Sequence, residues 1–329
     1  MNTAAGATPY TEGLHKLGTT TGAYLQPDGG FGLSNAGVVS SGDDVLLVDT
    51  FFDLAHTRRL LDAIGRPVRR CVNTHDNGDH CWGNQLLAEA GAELIGHRHC
   101  AEDMTRIAPA LLAALLAAPA DTPLGRYFAD AGARFDFDGI VVTPPTTVFD
   151  DELVLDVGGV GVRLLHVGPA HTRGDVIAHV ESEGVVFCGD ILFRLCAPIA
   201  WDGDTETWVA ALELVAGLDA ETVVPGHGPV CTPAAALEMR DYFEHVRSEA
   251  RDAFERGTPL LDAAARIDLG PYAGWAEPER VVSVVARNYR EFGSDDTVDA
   301  LSMFTWMAEH SPRTGYVAGA GGDGPVSGD

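Results

Sequence analysis

Seven consecutive residues, Thr74-His75-Asp76-Asn77-Gly78-Asp79-His80, constrain this chain more than any other stretch. Three of them, His75, Asp79 and His80, are side chains that hold metals. Neutral imidazole and carboxylate are ligands suited to Zn²⁺ and related divalent ions. The cluster follows apolar strand-like runs, Val45-Leu46-Leu47-Val48 and then Val72, and precedes a helix-like stretch. At the end of a strand such a cluster can close around an ion without long-range assembly, so the fold has to deliver it there. The middle position, Asn77, is an amide, which is a poor ligand.

The surrounding pattern supplies the strands. From Ala23 to about Asp49, short apolar runs alternate with Gly, Asn and Asp turns and read as β-hairpins. Leu54 to Ile64 has helical spacing with Asp53 as its N-cap. Arg69 to Asn73 reads as the strand that delivers the cluster. Residues 97–135 are helix-rich, and Pro144 to Arg163 returns to strands. Later strands end in Gly168-Pro169-Ala170-His171, in Gly189-Asp190 and in Pro225-Gly226-His227-Gly228. Strands then helices, twice over, with polar residues at strand ends, favour an α/β sandwich with its functional residues on loops along one edge. The expected divisions are a flexible lead-in over 1–20, an α/β domain over 21–232, a C-terminal helical extension over 233–310 packed on that domain, and a disordered tail over 311–329.

Ligand-type residues thus occur in separate places, each after an apolar run: His75, Asp79 and His80, then His171, then Asp190, then His227. A lone loop histidine is usually a surface residue, and an Asp after Gly at a strand end is usually a turn former. Their joint order and flanking glycines carry the signal. The segments T-H-D-N-G-D-H, G-P-A-H-T-R-G-D, C-G-D and P-G-H-G resemble, in that order, the motifs of the metallo-β-lactamase fold superfamily. The resemblance implies a four-layer αββα sandwich and a metal-dependent hydrolase. It assigns His75 and His171 to a first metal, Asp79, His80 and His227 to a second, and Asp190 to a bridge between them. It further implies that a metal-bound water held by Asp190 is the nucleophile and that Asp79 orients it. Zinc is the expected ion, one or two per chain, with iron or manganese as alternatives.

Asn77 departs from the pattern, which usually has His there. An amide is the weaker ligand, so the first site is expected to be weak or empty beside a filled second one. Esters, thioesters and lactones are the expected substrates. The alternatives are a non-hydrolytic enzyme on the same fold (a cyclase, lyase or redox enzyme) and a metal-poor binding protein.

Other residues have both a functional and a structural reading. Arg173, inside the His171 loop, either binds an anionic substrate or braces the loop in an ion pair. His97 and His99 read as a surface helix start. Cys81 and Cys188 read as small apolar packing groups, and Cys196 either packs likewise or faces the pocket. Asp76 is either solvent-facing or supports a ligand histidine. Trp82, Phe193, Trp201, Trp208 and Trp275 either line a pocket or fill the core. The stretch from Arg106 to Phe128 is either an ordinary packed helix or a lid or dimer contact.

Bulk properties narrow the partners. A net charge of −26 repels phosphates, which argues against nucleic acid and anionic membrane surfaces and leaves a small-molecule substrate. Lys16 is the only lysine among many arginines, which reads as the coding bias of a GC-rich, actinobacterial genome. Met1 to Tyr10 has no apolar signal-peptide core, and the six cysteines lack C-x-x-C spacing, so reduced thiols and a cytoplasmic location are expected. The acidic surface and C-terminal helices permit a homodimer without demanding one.

Overall fold

The run Val45-Leu46-Leu47-Val48 is apolar at every position because both faces of its strand are covered. In a computed structural model, which describes residues 8–312, Leu46 and Val48 point between two sheets while Val45 and Leu47 point at helices on the outside. The first sheet holds β1 (Gly13–Lys16), β2 (Thr21–Leu25), β3 (Ala36–Ser41), β4 (Asp44–Val48), β5 (Arg70–Asn73), β6 (Glu93–His97) and β7 (Thr147–Phe149), in that spatial order. Its first half is antiparallel, and from β4 onward neighbours are parallel. The second sheet, ordered β12-β11-β10-β9-β8, holds β8 (Glu152–Val157), β9 (Val160–His166), β10 (Val176–Val180), β11 (Val185–Phe187) and β12 (Thr222–Val224). Only its β11–β12 pair is parallel.

Parallel neighbours need crossovers, and these are the helices. α1 (Leu54–Ile64) joins β4 to β5. Asp53 caps it by accepting from the His56 amide, and Gly65 ends it at φ 65°, where only glycine is unstrained. α2 (Gly78–Cys81) and α3 (Asn84–Glu89) join β5 to β6. Between β6 and β7 lie four short helices, α4 (Arg98–Asp103), α5 (Pro109–Leu116), α6 (Pro123–Tyr127) and α7 (Ala129–Arg134). α8 (Thr205–Gly217) joins β11 to β12. After β12 come α9 (Ala234–Glu255), α10 (Leu260–Ala264), α11 (Val281–Glu291) and α12 (Ala300–His310).

Three apolar clusters define the layers. Leu60, Ile64 and Leu87 of α1 and α3 cover the outer face of the first sheet. Val72 and Ile95 meet Leu164, Val176 and Phe187 between the sheets. Leu212, Phe243, Val285 and Met307 of α8, α9, α11 and α12 share a cluster with Ile177 and Val186 on the outer face of the second sheet. The result is the four-layer αββα sandwich, with the C-terminal helices built into its outermost layer.

Two boundaries differ from the sequence reading. Residues 1–20 are not a loose lead-in throughout, because Gly13–Lys16 pairs antiparallel with β2 and closes that sheet edge. A four-residue strand with half-exposed alternation is too short to stand out as a pattern. In the expected tail, Ser311 is buried and donates to Glu279, whereas residues 313–329 lie outside the described residues. No helix among the described residues is long and apolar enough to cross a membrane.

Candidate metal centre

Strand ends from both sheets meet at one edge of the sandwich. β5 runs into Thr74 and His75, and α2 directly behind it carries Asp79 and His80. The β9–β10 loop carries His171, while β11 and β12 run out into Asp190 and His227. Ligand atoms of His75, His171 and Asp190 lie within 4.8 Å of one another, and so do those of Asp79, His80 and His227. Asp190 faces both groups. Its Oδ2 is 3.8 Å from His75 Nε2 and 3.5 Å from His171 Nε2, while its Oδ1 is 3.1 Å from His80 Nε2 and 3.5 Å from His227 Nε2. Asp79 Oδ2 lies 3.3 Å from His227 Nε2.

Each imidazole has its outward nitrogen occupied by an acceptor. His80 Nδ1 donates to Asp49 Oδ2 at 2.9 Å, His171 Nδ1 to the Ile199 carbonyl at 2.8 Å, and His227 Nδ1 to the Gly29 carbonyl at 3.1 Å. Thr74 Oγ1 gives its proton to Asp49 Oδ2 and is left to accept from His75 Nδ1 at 3.0 Å. With the proton on Nδ1 in all four rings, every Nε2 lone pair points into the centre. Asp49 therefore orients His80 directly and His75 through Thr74, and it also accepts from the Thr74 amide. The sequence reading missed it. The only signal was an Asp ending the Val45–Val48 run, which is also what a turn looks like.

The electrostatics of the cluster call for positive charge. Burial alone would lower both His80 and His227, yet Asp190 and Asp79 raise both above the usual imidazole range, His227 to about 9. Burial prevails at His75 and His171, which are lowered. His75 Nε2, His80 Nε2 and Asp190 Oδ1 are buried without a hydrogen-bond partner. Leaving such atoms bare costs about 1–3 kcal/mol each, more when charged. The 3.1 Å between His80 Nε2 and Asp190 Oδ1 is not aligned as a hydrogen bond, and with His80 neutral it sets lone pair against lone pair. Converging imidazole nitrogens and carboxylate oxygens of this kind fit a divalent cation, which takes the place of the protons.

Asn77 sits at the rim of this cluster, its Nδ2 donating to His171 Nε2 at 3.1 Å. The amide thus engages one of the two imidazole nitrogens that an ion in the first group would require, the other being His75 Nε2.

A cavity of about 160 Å³ opens onto Asp79, Asp190 and His227. Trp208 is packed in the core, and Trp275, part of that core, lines a separate cavity beside Tyr127 and Glu277, whereas Trp82, Phe193 and Trp201 line this one. Asp76 lines it too, and burial with Asp103 nearby pushes its carboxyl up to about 7. Arg173 does not line it. The role of Arg173 in binding an anionic substrate is therefore corrected: its guanidinium is held by both oxygens of Asp103 at 2.7 Å, which braces the His171 loop against α4. Cys81, Cys188 and Cys196 are buried and lie off the cavity. His97 is buried as well, its ring stacked on His166 with centroids 3.7 Å apart, rather than at the surface. Phe52, Asp103, Met104 and Ile199 also line the cavity, as do Arg280 and Phe304 of the C-terminal helical region, which reach back over it from far along the chain; none of these stood out in the sequence.

Comparison with known proteins agrees with this architecture. The family model of the metallo-beta-lactamase superfamily matches residues 29–227. A hydroxyacylglutathione hydrolase of Methylococcus capsulatus is 30% identical over 165 residues, 50% of this chain and 49% of that protein. A linear primary-alkylsulfatase of a Pseudomonas species is 19% identical over 270 residues, 73% of this chain and 51% of that protein. The chain thus spans about half the length of these two curated relatives. Among solved structures, a metallo-beta-lactamase family protein of Thermus thermophilus superposes with a TM-score of 0.60 at 19% identity, covering 85% of this chain and 94% of its own. The inverting sec-alkylsulfatase Pisa1 of a Pseudomonas species superposes with a TM-score of 0.63 at 15% identity, covering 87% of this chain and 51% of its own. At such identities the superpositions speak for the fold alone.

Proposed function

The chain belongs to the metallo-β-lactamase superfamily, and from that premise we propose that it is a zinc-dependent hydrolase of ester-type bonds, thioesters and lactones included. One observation carries the reading: Asp190 presents one carboxylate oxygen to each of two ligand groups, beside a cavity that opens onto the same carboxylate. In this reading His75 and His171 hold one ion, Asp79, His80 and His227 hold the other, and Asp190 reaches both. Ions in such a set polarise a carbonyl and make a water acidic enough to act near neutral pH.

The residues themselves do the positioning. Asp79 is the more open of the two carboxylates, its side chain 16% exposed against 4% for Asp190. It is placed to orient a water entering from the cavity. No side-chain nucleophile is called for. The Cys81, Cys100 and Cys188 thiols are buried off the cavity, and burial raises each well above its ordinary value. The curated relatives bear the names of hydrolases, which supports hydrolysis here.

The test combines metal content by elemental analysis with turnover of an ester, thioester and lactone panel. About one zinc per chain, with turnover lost together with zinc in His227→Ala, is the expected result. Zinc-loaded protein that hydrolyses no member of the panel, or iron or manganese in place of zinc with no ester turnover, would reject the proposal.

A further inference from the structure

The walls of the cavity have a chemistry of their own. Beyond its polar floor they are built from large apolar side chains. Leu111 and Leu115 lie four residues apart on α5, Ile107 stands just ahead of that helix, and all three line the cavity together with Phe52, Trp201 and Phe304. α5 is apolar all round, Pro-Ala-Leu-Leu-Ala-Ala-Leu-Leu, although it is a surface helix. Leu112 is its buried anchor, while Ile107 and Leu111, both lining the cavity, stay 48% and 59% exposed. Large apolar groups left open at a cavity mouth mark a surface meant to be covered.

Charge around the cavity points the same way. Asp76, Asp79, Asp103 and Asp190 all line it. Among the described residues lining it, Arg280 is the one arginine or lysine, and it is buried in an ion pair with Glu277 while donating to the Ala197 carbonyl at 3.3 Å. The nearby Arg106 and Arg173 are engaged by Asp202 and Asp103. Away from the ligand cluster, a substrate group bearing carboxylates would therefore find no unpaired arginine or lysine along the cavity walls, on a molecule of net charge −26.

We infer that the substrate places an uncharged apolar chain or ring against α5 and the aromatic walls, and that a glutathione-type thioester, with its charged peptide, is disfavoured. This deepens the hydrolase reading and rests on it for the reaction, while the preference for an apolar ligand stands on the cavity alone.

Two measurements on the full chain separate these claims. In the first, zinc-loaded protein is assayed with p-nitrophenyl acetate, p-nitrophenyl octanoate and S-lactoylglutathione. Octanoate is expected to exceed the other two in kcat/KM by at least about tenfold, since each buried methylene adds to binding. Leu111→Glu, at an exposed position that folding tolerates, should erase most of that preference. In the second, metal-free protein is titrated with the uncharged fluorophore N-phenyl-1-naphthylamine. Saturable binding, competed by 1-octanol and weakened about tenfold by Leu111→Glu, is expected. Probe binding without any turnover would reject the hydrolase reading and support the apolar ligand. Turnover that favours S-lactoylglutathione or acetate would overturn the inference and leave hydrolysis standing. Absence of saturable probe binding, or binding indifferent to Leu111→Glu, would also overturn it.

Discussion

At the scale of single residues the centre depends on groups that never face it. Asp49 lies at the end of β4, buried, holding the proton of His80 and, through Thr74, the orientation of His75. Asp49→Asn keeps the shape and removes the charge that draws the His80 proton outward. Metal affinity should fall about 10–100-fold, as for other residues that support metal-bound histidines. Competition against a chelating dye measures this, and an unchanged affinity would show that His80 is oriented by packing alone. Asn77 works in the opposite sense. Its amide donates to His171 Nε2, so Asn77→His should replace a competing donor by a ligand and raise occupancy from about one ion per chain towards two. Native mass spectrometry reads the stoichiometry directly, and no change would mean that the residue 77 side chain does not reach the ion. Asn77 was conspicuous in the sequence because it interrupts a run of ligand types. Asp49 was not, because an acidic residue after a strand looks the same whether it makes a turn or holds a histidine.

At the scale of elements the site is made by close approach of two strand ends. Gly226, after β12, donates its amide to the Gly189 carbonyl at 2.7 Å, and Gly189 directly precedes Asp190 at the end of β11. A Cβ on Gly226 would stand 1.9 Å from Asp190 Oδ1 and 2.7 Å from the Gly189 carbonyl carbon. The constraint is steric, since the second of these neighbours is backbone and cannot swing aside. Gly226→Ala should therefore force β11 and β12 apart at their ends and displace Asp190. Overpacking of this kind costs about 1–3 kcal/mol. Thermal unfolding should show the loss, and metal per chain should drop with it. A variant of normal stability and normal metal content would mean that the two strand ends are not held as tightly as described. The glycine was visible in Pro225-Gly226-His227-Gly228, but its neighbour was not, because β11 and β12 are joined by the whole of α8.

At the scale of the molecule the two sheets are held together by their apolar interior and, near one edge, by an imidazole stack. His97 of β6 lies flat on His166 of β9 with ring planes 6° apart. His97 donates Nε2–H to the Asp150 carbonyl at 2.8 Å and accepts the His99 amide on Nδ1, so both nitrogens are used in the neutral form. Burial, with His166 adding to it, pushes its pKa down to about 4, whereas an unfolded histidine titrates near 6.5. Below about 6.5 the unfolded chain binds a proton that the native one refuses, so this group's contribution is present above 6.5 and is lost as pH falls towards 4. His97→Gln should flatten the stability profile between those values relative to the parent protein, as denaturant unfolding at a series of pH values would show. Parallel profiles for the two proteins would indicate that His97 takes up its proton in the folded state.

Periodicities and ligand types were legible along the chain. Apolar runs at the right lengths made strands covered on both faces, Asp53 and Gly65 bounded α1, and His75, Asp79, His80, His171, Asp190 and His227 stood at the ends of strand-like runs. These are local properties, written within a few residues of where they act. Convergence, by contrast, came from folding. It brought the two ligand groups to either side of one carboxylate, gave the outward nitrogens of three of the histidines to Asp49, Gly29 and Ile199, sent Arg173 to Asp103, and folded Arg280 and Phe304 back over a cavity whose other wall is α5. Each of these is a contact between residues tens to hundreds of positions apart. Such contacts are set by how the layers stack and how the crossovers turn, and no window of sequence contains that information.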